Sequence, residues 1–209
     1  MIDQLEVDLR PNFGPVKDQG ARPTCLSQAL SAGHEFVRHS ADRLSVEYLH
    51  YFSTGGHLWR GSSIASARTA LELKGQPEET LCPGFTLDPP TGWKPPPNLH
   101  VFRRRSITVS ATCANVERAI RETRVPVLGI SLPRKFFDPA SPWIIAPSDR
   151  TYGLHAVVGV GIGLRKGKLT ILIRNSWGTS WGDAGHALLT SDFLRRHLID
   201  VIILTEEPA

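Results

Sequence analysis

The sequence predicts an α+β protein of two lobes, and three observations carry that expectation. Apolar residues in the first half recur at helical spacing, whereas those in the second half fall largely into short β-rich runs. Between them Cys82 to Asn98 holds six prolines and two glycines. That composition is too rich in breakers for regular structure, so the stretch reads as an extended connection between lobes. A helical lobe is expected over about 1–100 and an antiparallel β-barrel-like lobe over about 101–209, together forming one domain. Pro95-Pro96-Pro97 could present a PxxP-type ligand, but such composition is more often plain linker.

The elements follow in order. Leu26, Ala29, Leu30, Gly33, Phe36 and Val37 keep helical spacing, so a helix should begin at Cys25, with Thr24 as its cap and Gly33 as a close packing point. A second helix is expected over Leu44 to Tyr51. A third should run from Ser63 to Lys74, where Ile64, Ala67, Ala70 and Leu71 form a stripe that Gly75 ends. After the connection, Ser106 to Val109 reads as a strand, Ala114 to Thr123 as a helix with Val116, Ala119 and Ile120 inward, and Pro126 to Leu132 as a strand. Ala156 to Gly163 and Leu169 to Arg174 read as a hairpin around a basic turn containing Gly167. Glycines 159, 161 and 163 do not match G-x-G-x-x-G and no helix follows. They are expected to let strands curve or approach closely. No internal repeat is present.

Composition excludes several classes. With 209 residues, 41% hydrophobic and 21% charged, the chain can bury a substantial core. A net charge of +4 and a pI near 9.2 are too mild to imply nucleic acid. No apolar run is long enough to cross a bilayer, and Asp3, Glu6, Asp8 and Arg10 interrupt the start where a signal peptide would be apolar. A cytoplasmic location is expected, with export by another route or excision from a larger protein left open. Three cysteines cannot build a disulfide framework, and nothing in the spacing brings Cys82 to Cys113. Both read as small buried hydrophobes. No cofactor and no metal site is expected.

The chemistry is concentrated elsewhere. Gln19 stands six residues ahead of Cys25, and far downstream come His155 and Asn175-Ser176-Trp177-Gly178. A thiol becomes a strong nucleophile when ionised beside an imidazole; the imidazole must be held in one tautomer, and a developing oxyanion needs fixed donors. A helix beginning at Cys25 would put the thiol where the helix dipole and free N–H groups favour thiolate. His155 at the start of the hairpin's first strand and Asn175 at the end of its second would lie near each other, since antiparallel neighbours meet in space. The other histidines, at 34, 39, 50, 57, 100, 186 and 197, lack such context and read as surface or packed residues.

Gly14-Pro15-Val16-Lys17-Asp18-Gln19-Gly20, Cys25, His155-Ala156-Val157-Val158-Gly159-Val160-Gly161 and Ile173-Arg174-Asn175-Ser176-Trp177-Gly178-Thr179-Ser180-Trp181-Gly182 together resemble the papain-like cysteine peptidases. The separations agree, His155 and Asn175 lying about 130 and about 150 residues beyond Cys25. The resemblance implies a papain-like two-lobed fold with the active site in the cleft. It implies a cysteine endopeptidase with a Cys25–His155–Asn175 triad, a thioester intermediate, and an oxyanion held by Gln19 and the Cys25 N–H. Trp177 would shield the His155–Asn175 bond from water. Gly61 and Ser62 look like the family's clamp on the substrate backbone. Leu154, Ala156 and Ile130 look like walls of the pocket for the side chain two positions before the cut, for which an apolar preference is expected. Trp181 could simply pack the lobe.

The chain departs from the family at the nucleophile. Where Cys-Gly-Ser-Cys-Trp is usual, it reads Arg22-Pro23-Thr24-Cys25-Leu26. Arg22 removes a disulfide partner and so a staple; Leu26 keeps an apolar contact of different shape. Val7-Asp8-Leu9-Arg10 already resembles the start of a mature enzyme, leaving no room for an inhibitory pro-segment. Either the chain is a domain trimmed from a longer protein, or activity is limited by a regulatory or inhibitor protein, a compartment or narrow specificity. Partners are expected to be peptide or protein substrates, with no nucleic acid and no membrane. Two other classes use the same residues: a peptide ligase or transpeptidase passing the thioester to an amine, and a non-catalytic peptide-binding module.

Overall fold

The computed structural model describes residues 4–39, 42–85 and 88–207. Three helices dominate the first half: α1 (Cys25–Val37), α2 (Val46–Ser53) and α3 (Ile64–Leu73). The second half carries β2 (Ser106–Val109), α4 (Cys113–Arg121), β3 (Pro126–Pro133), the short α5 (Arg134–Phe137) and β4 (Ile144–Ile145). It continues with β5 (Thr151–Arg165), β6 (Lys168–Arg174), β7 (His186–Thr190), α6 (Ser191–His197) and β8 (Leu198–Leu204). One strand precedes them all: β1 (Gln4–Asp8) pairs antiparallel with β5, so the chain's first strand lies on the sheet and departs from the expected helical first lobe.

Helix starts follow their caps. The Ser45 and Ser63 hydroxyls accept the N–H groups of Tyr48 and Ser66, which places α2 and α3 slightly later than periodicity suggests. Thr24 does not cap α1 as expected. Its backbone is not extended (φ −95°, ψ 7°), so its hydroxyl cannot turn back onto the first-turn N–H groups and remains buried without a partner among the described residues. The described residues of 82–98 contain no helix or strand, and positions 86–87 lie outside the described residues.

The strands form a single sheet in the order β2-β8-β3-β5-β6-β7-β4, with β1 on β5. β5 and β6 make the expected hairpin, but β5 starts four residues before His155, which therefore sits inside the strand. Two of the three glycines permit close approach. A Cβ at Gly161 would stand 2.7 Å from the Val7 carbonyl oxygen, and one at Gly159 3.0 Å from Pro126. The β5–β6 register also shifts between 159 and 161, a bulge that bends the long strand. α1 is buried over most of its surface and packs on β5 and β3. Gly33 is its contact point, since a Cβ there would meet Leu204 at 3.0 Å. The core is continuous, from Leu30 and Leu71 on the helices to Val160, Ile162 and Ile171 on the sheet. This packing holds the first turn of α1 against the middle of β5.

Candidate active site

Cys25 opens α1, half-buried, and its sulfur faces backbone donors. Burial pushes the thiol pKa up, while the N–H groups of Ala156, Leu26 and Cys25 itself oppose that rise by favouring thiolate. The Ala156 contribution locates the sulfur, because Ala156 directly follows His155 on β5.

His155 is 6% exposed, and its Nε2 lies 2.7 Å from Asn175 Oδ1. The proton on that bond can be assigned. The Ser176 backbone N–H donates to the same Asn175 atom at 2.8 Å, and a backbone N–H finds its acceptor only in an amide oxygen. Asn175 therefore presents oxygen, Nε2 carries hydrogen, and in the neutral imidazole Nδ1 is left basic. Burial drives the His155 pKa down to about 4, with Asn175 opposing. Taken singly, both groups are neutral at pH 7.

An aromatic shell covers this bond. The Trp177 ring lies 4.7 Å from His155 and 5.5 Å from Phe136, and Phe136 in turn lies 5.6 Å from His155. Trp181 packs on Phe136 at 5.0 Å and donates its Nε1–H to the Phe136 carbonyl at 2.8 Å. Phe136 has no marker in the sequence; only the short helix α5 after β3 brings it there.

Gln19 is held at both ends of its amide. Oε1 accepts from Ser176 Oγ and Nε2 donates to the Arg22 carbonyl, each at 2.8 Å, leaving one N–H of Nε2 uncommitted. The Gln19 backbone N–H also bonds the Ser176 carbonyl at 2.9 Å, and Gly178 N–H bonds the Lys17 carbonyl, so the two motif loops are stitched together. Ser176 thus serves both Asn175 and Gln19, a double role that sequence reading missed.

Arg22, where the family has a disulfide cysteine, is buried and forks onto Glu47 of α2 through Nη1 and Nη2 at 2.6 and 2.8 Å. Its guanidinium also lies 5.5 Å from the Phe85 ring. A charge-assisted fork therefore takes the place of the covalent staple. All three cysteines are free thiols.

Cys25 and His155 both line a cleft cavity of about 630 Å³. Its wall includes Gly61, Ser62, Ile130, Leu154 and Ala156, all five expected there, and also Asp200 of β8. Trp177 is not among these lining residues: tilted against His155 and stacked on Phe137, it borders another hollow beside Trp181. Of the remaining histidines, His34, His50, His186 and His197 are packed inside. Among the described residues no group of His, Cys, Asp or Glu is placed to hold a metal ion, and no helix is long and apolar enough to cross a membrane.

The fold is that of papain-like proteins. The sequence agrees: residues 139–196 match the family model of papain family cysteine proteases. Mouse cathepsin K is 54% identical over 41 residues, 20% of this chain and 12% of that protein. Cysteine proteinase 3 of Entamoeba histolytica is 55% identical over 38 residues, 18% of this chain and 12% of that protein. The matched stretch thus spans about an eighth of these relatives' length. Among solved structures, xylellain, a cysteine protease from Xylella fastidiosa, superposes with a TM-score of 0.84 at 22% identity, covering 98% of this chain and 88% of its own. Bromelain from Ananas comosus, in complex with the E64 inhibitor, gives 0.77 at 19% identity, covering 96% and 98%. The chain thus has the papain-like fold, and its residues 139–196 carry the sequence pattern of the papain family cysteine proteases.

Proposed function

We propose that the chain is a cysteine endopeptidase that uses Cys25, His155 and Asn175. The observation that carries this reading is the His155–Asn175 bond, whose direction Ser176 fixes so that the basic Nδ1 is free for the thiol. In the first step the Cys25 proton passes to His155 Nδ1 and Sγ attacks the peptide carbonyl carbon, placing negative charge on its oxygen. The uncommitted Gln19 N–H and the Cys25 backbone N–H stabilise that oxyanion. Collapse breaks the C–N bond as imidazolium gives its proton to the departing amine, leaving a thioester. Water, deprotonated by His155, then attacks the thioester, releases the acid and restores the thiol. Trp177 and Phe136 keep water from the His155–Asn175 bond, which strengthens it.

Bromelain's E64 complex suggests the test. The wild-type chain should take up one E64 equivalent, localised to Cys25 by peptide mass mapping, and should cleave a denatured protein substrate. Cys25→Ala should do neither. Alkylation of Cys25 by iodoacetamide no faster than a free thiol, together with cleavage unaffected by Cys25→Ala, would refute the reading.

A further inference from the structure

The cavity beside Cys25 is walled by apolar groups such as Pro23, Leu26, Ile64 and Ile202, but one of its lining residues is charged. Asp200 sits half-buried on β8, in register with Gly129 of β3. That glycine matters: a Cβ there would come within 3.1 Å of Asp200 Cβ and 3.3 Å of Oδ2, so the missing side chain makes room for the carboxylate against the sheet. The Asp200 carboxylate has no hydrogen-bond or ion-pair partner among the described residues. No lysine or arginine lines the cavity.

An unpaired carboxylate in a cleft of this size is stabilised by water. An apolar side chain filling the cleft would strip that water and return nothing, whereas a cationic one replaces it with a charge-assisted hydrogen bond and still lays its methylenes along the apolar walls. The apolar preference expected from the walls alone therefore neglects the one group with the most to lose on desolvation. We infer that Asp200, set over Gly129 in the cavity beside Cys25, makes this subsite select an arginine or lysine side chain of a peptide substrate. This rests on the peptidase reading for its substrate, and makes Asp200 a specificity residue of that site. Arginine fits better than lysine, since a planar fork can take both carboxylate oxygens.

Fluorogenic peptides differing at one residue test it, with arginine, citrulline and leucine placed in turn at each of four positions before the cut. Citrulline keeps the shape of arginine without its charge. At one position arginine should exceed citrulline in kcat/KM by roughly tenfold to a hundredfold, the scale of one charge-assisted hydrogen bond. Asp200→Asn should erase that ratio by lowering kcat/KM on the arginine peptide, while Asp200→Glu should retain part of it. An arginine-to-citrulline ratio near one in the wild type, or unchanged in Asp200→Asn, overturns the inference. Failure of the peptidase reading looks different, since no peptide would then be cleaved. The same comparison is then made by calorimetric titration of Cys25→Ala: tighter binding of the arginine peptide, lost on adding Asp200→Asn, upholds the subsite, and equal affinities overturn it. Asp200→Ser with its melting temperature guards against an Asn variant that merely misfolds.

Discussion

Breaking the Arg22–Glu47 fork from one side should cost far more than removing it altogether. Both side chains are nearly inaccessible, at 8% and 6% exposed, and the two bonds of 2.6 and 2.8 Å form a fork. Glu47→Leu leaves a guanidinium buried without its counter-charge, and its Nε already lacks a partner among the described residues. Stranding one ion of such a pair costs about 3–5 kcal/mol, whereas replacing both by apolar groups of similar volume is often close to neutral. At roughly 2–4 °C per kcal/mol for a chain of this size, the single variant should melt roughly 6–20 °C lower. Arg22→Met with Glu47→Leu should recover most of that. Guanidinium titration of wild type, both singles and the double gives the coupling directly. Because all three cysteines are free, thiol reductant should leave every one of these midpoints unchanged. A Glu47→Leu loss below about 1 kcal/mol, or a double variant as unstable as the worse single, would refute the idea that this fork stands in for the missing staple.

Three further outcomes are expected. Gln19→Ala, which removes one oxyanion donor, should lower kcat about 10²–10³-fold in steady-state assays with KM nearly unchanged. Asn175→Ala should lower kcat by roughly tenfold to a hundredfold, the worth of one hydrogen bond to a group that becomes charged, and thus less than His155→Ala, which removes the proton carrier. His34, fully buried against Gln76, has its pKa pushed down to about 4 by desolvation. The unfolded chain binds that proton first, so His34 contributes stability above about pH 6.5 that is lost as pH falls towards 4, about 3 kcal/mol in all. His34→Gln should flatten that part of the acid limb in melting experiments, while His155, also lowered to about 4, keeps its own share.

The parts of this architecture that local periodicity controls were legible in the sequence. α1 begins at Cys25 as its apolar spacing implies, β2 spans Ser106–Val109, and the β5–β6 hairpin falls where two β-rich runs flank a basic glycine turn. The elements that escaped depend on partners far away in the chain. Gln4–Asp8 reads as a short polar-interrupted segment and becomes a strand because the glycine edge of β5 admits its backbone. In β8, Asp200 interrupts an apolar run, and only its register with Gly129 shows that the carboxylate faces the cleft. Glu47 is unremarkable in α2 until Arg22 meets it. Cys25, His155, Asn175 and Gln19 could be picked out because motif spacing marks them, whereas Ser176, Phe136 and Asp200 reach the site through tertiary contacts that no spacing encodes.

The resting electrostatics of the cleft bear on how a thiol so placed could react. Burial alone disfavours charge on either partner: it raises Cys25 and lowers His155. A separated thiolate or imidazolium would therefore be costly, but a proton moved from one to the other creates both charges together, each partly compensating the other. What tips that transfer toward sulfur's negative charge is fixed in the backbone, namely the N–H groups at the start of α1 and that of Ala156. What tips it toward the imidazolium is Asn175 Oδ1, locked as acceptor by the Ser176 N–H. Both biases sit on rigid elements, a helix terminus and a strand pair, so they need no rearrangement when substrate arrives. Substrate filling the cleft removes water from around the pair, and lower dielectric strengthens the attraction between its two charges more than that of either for distant groups.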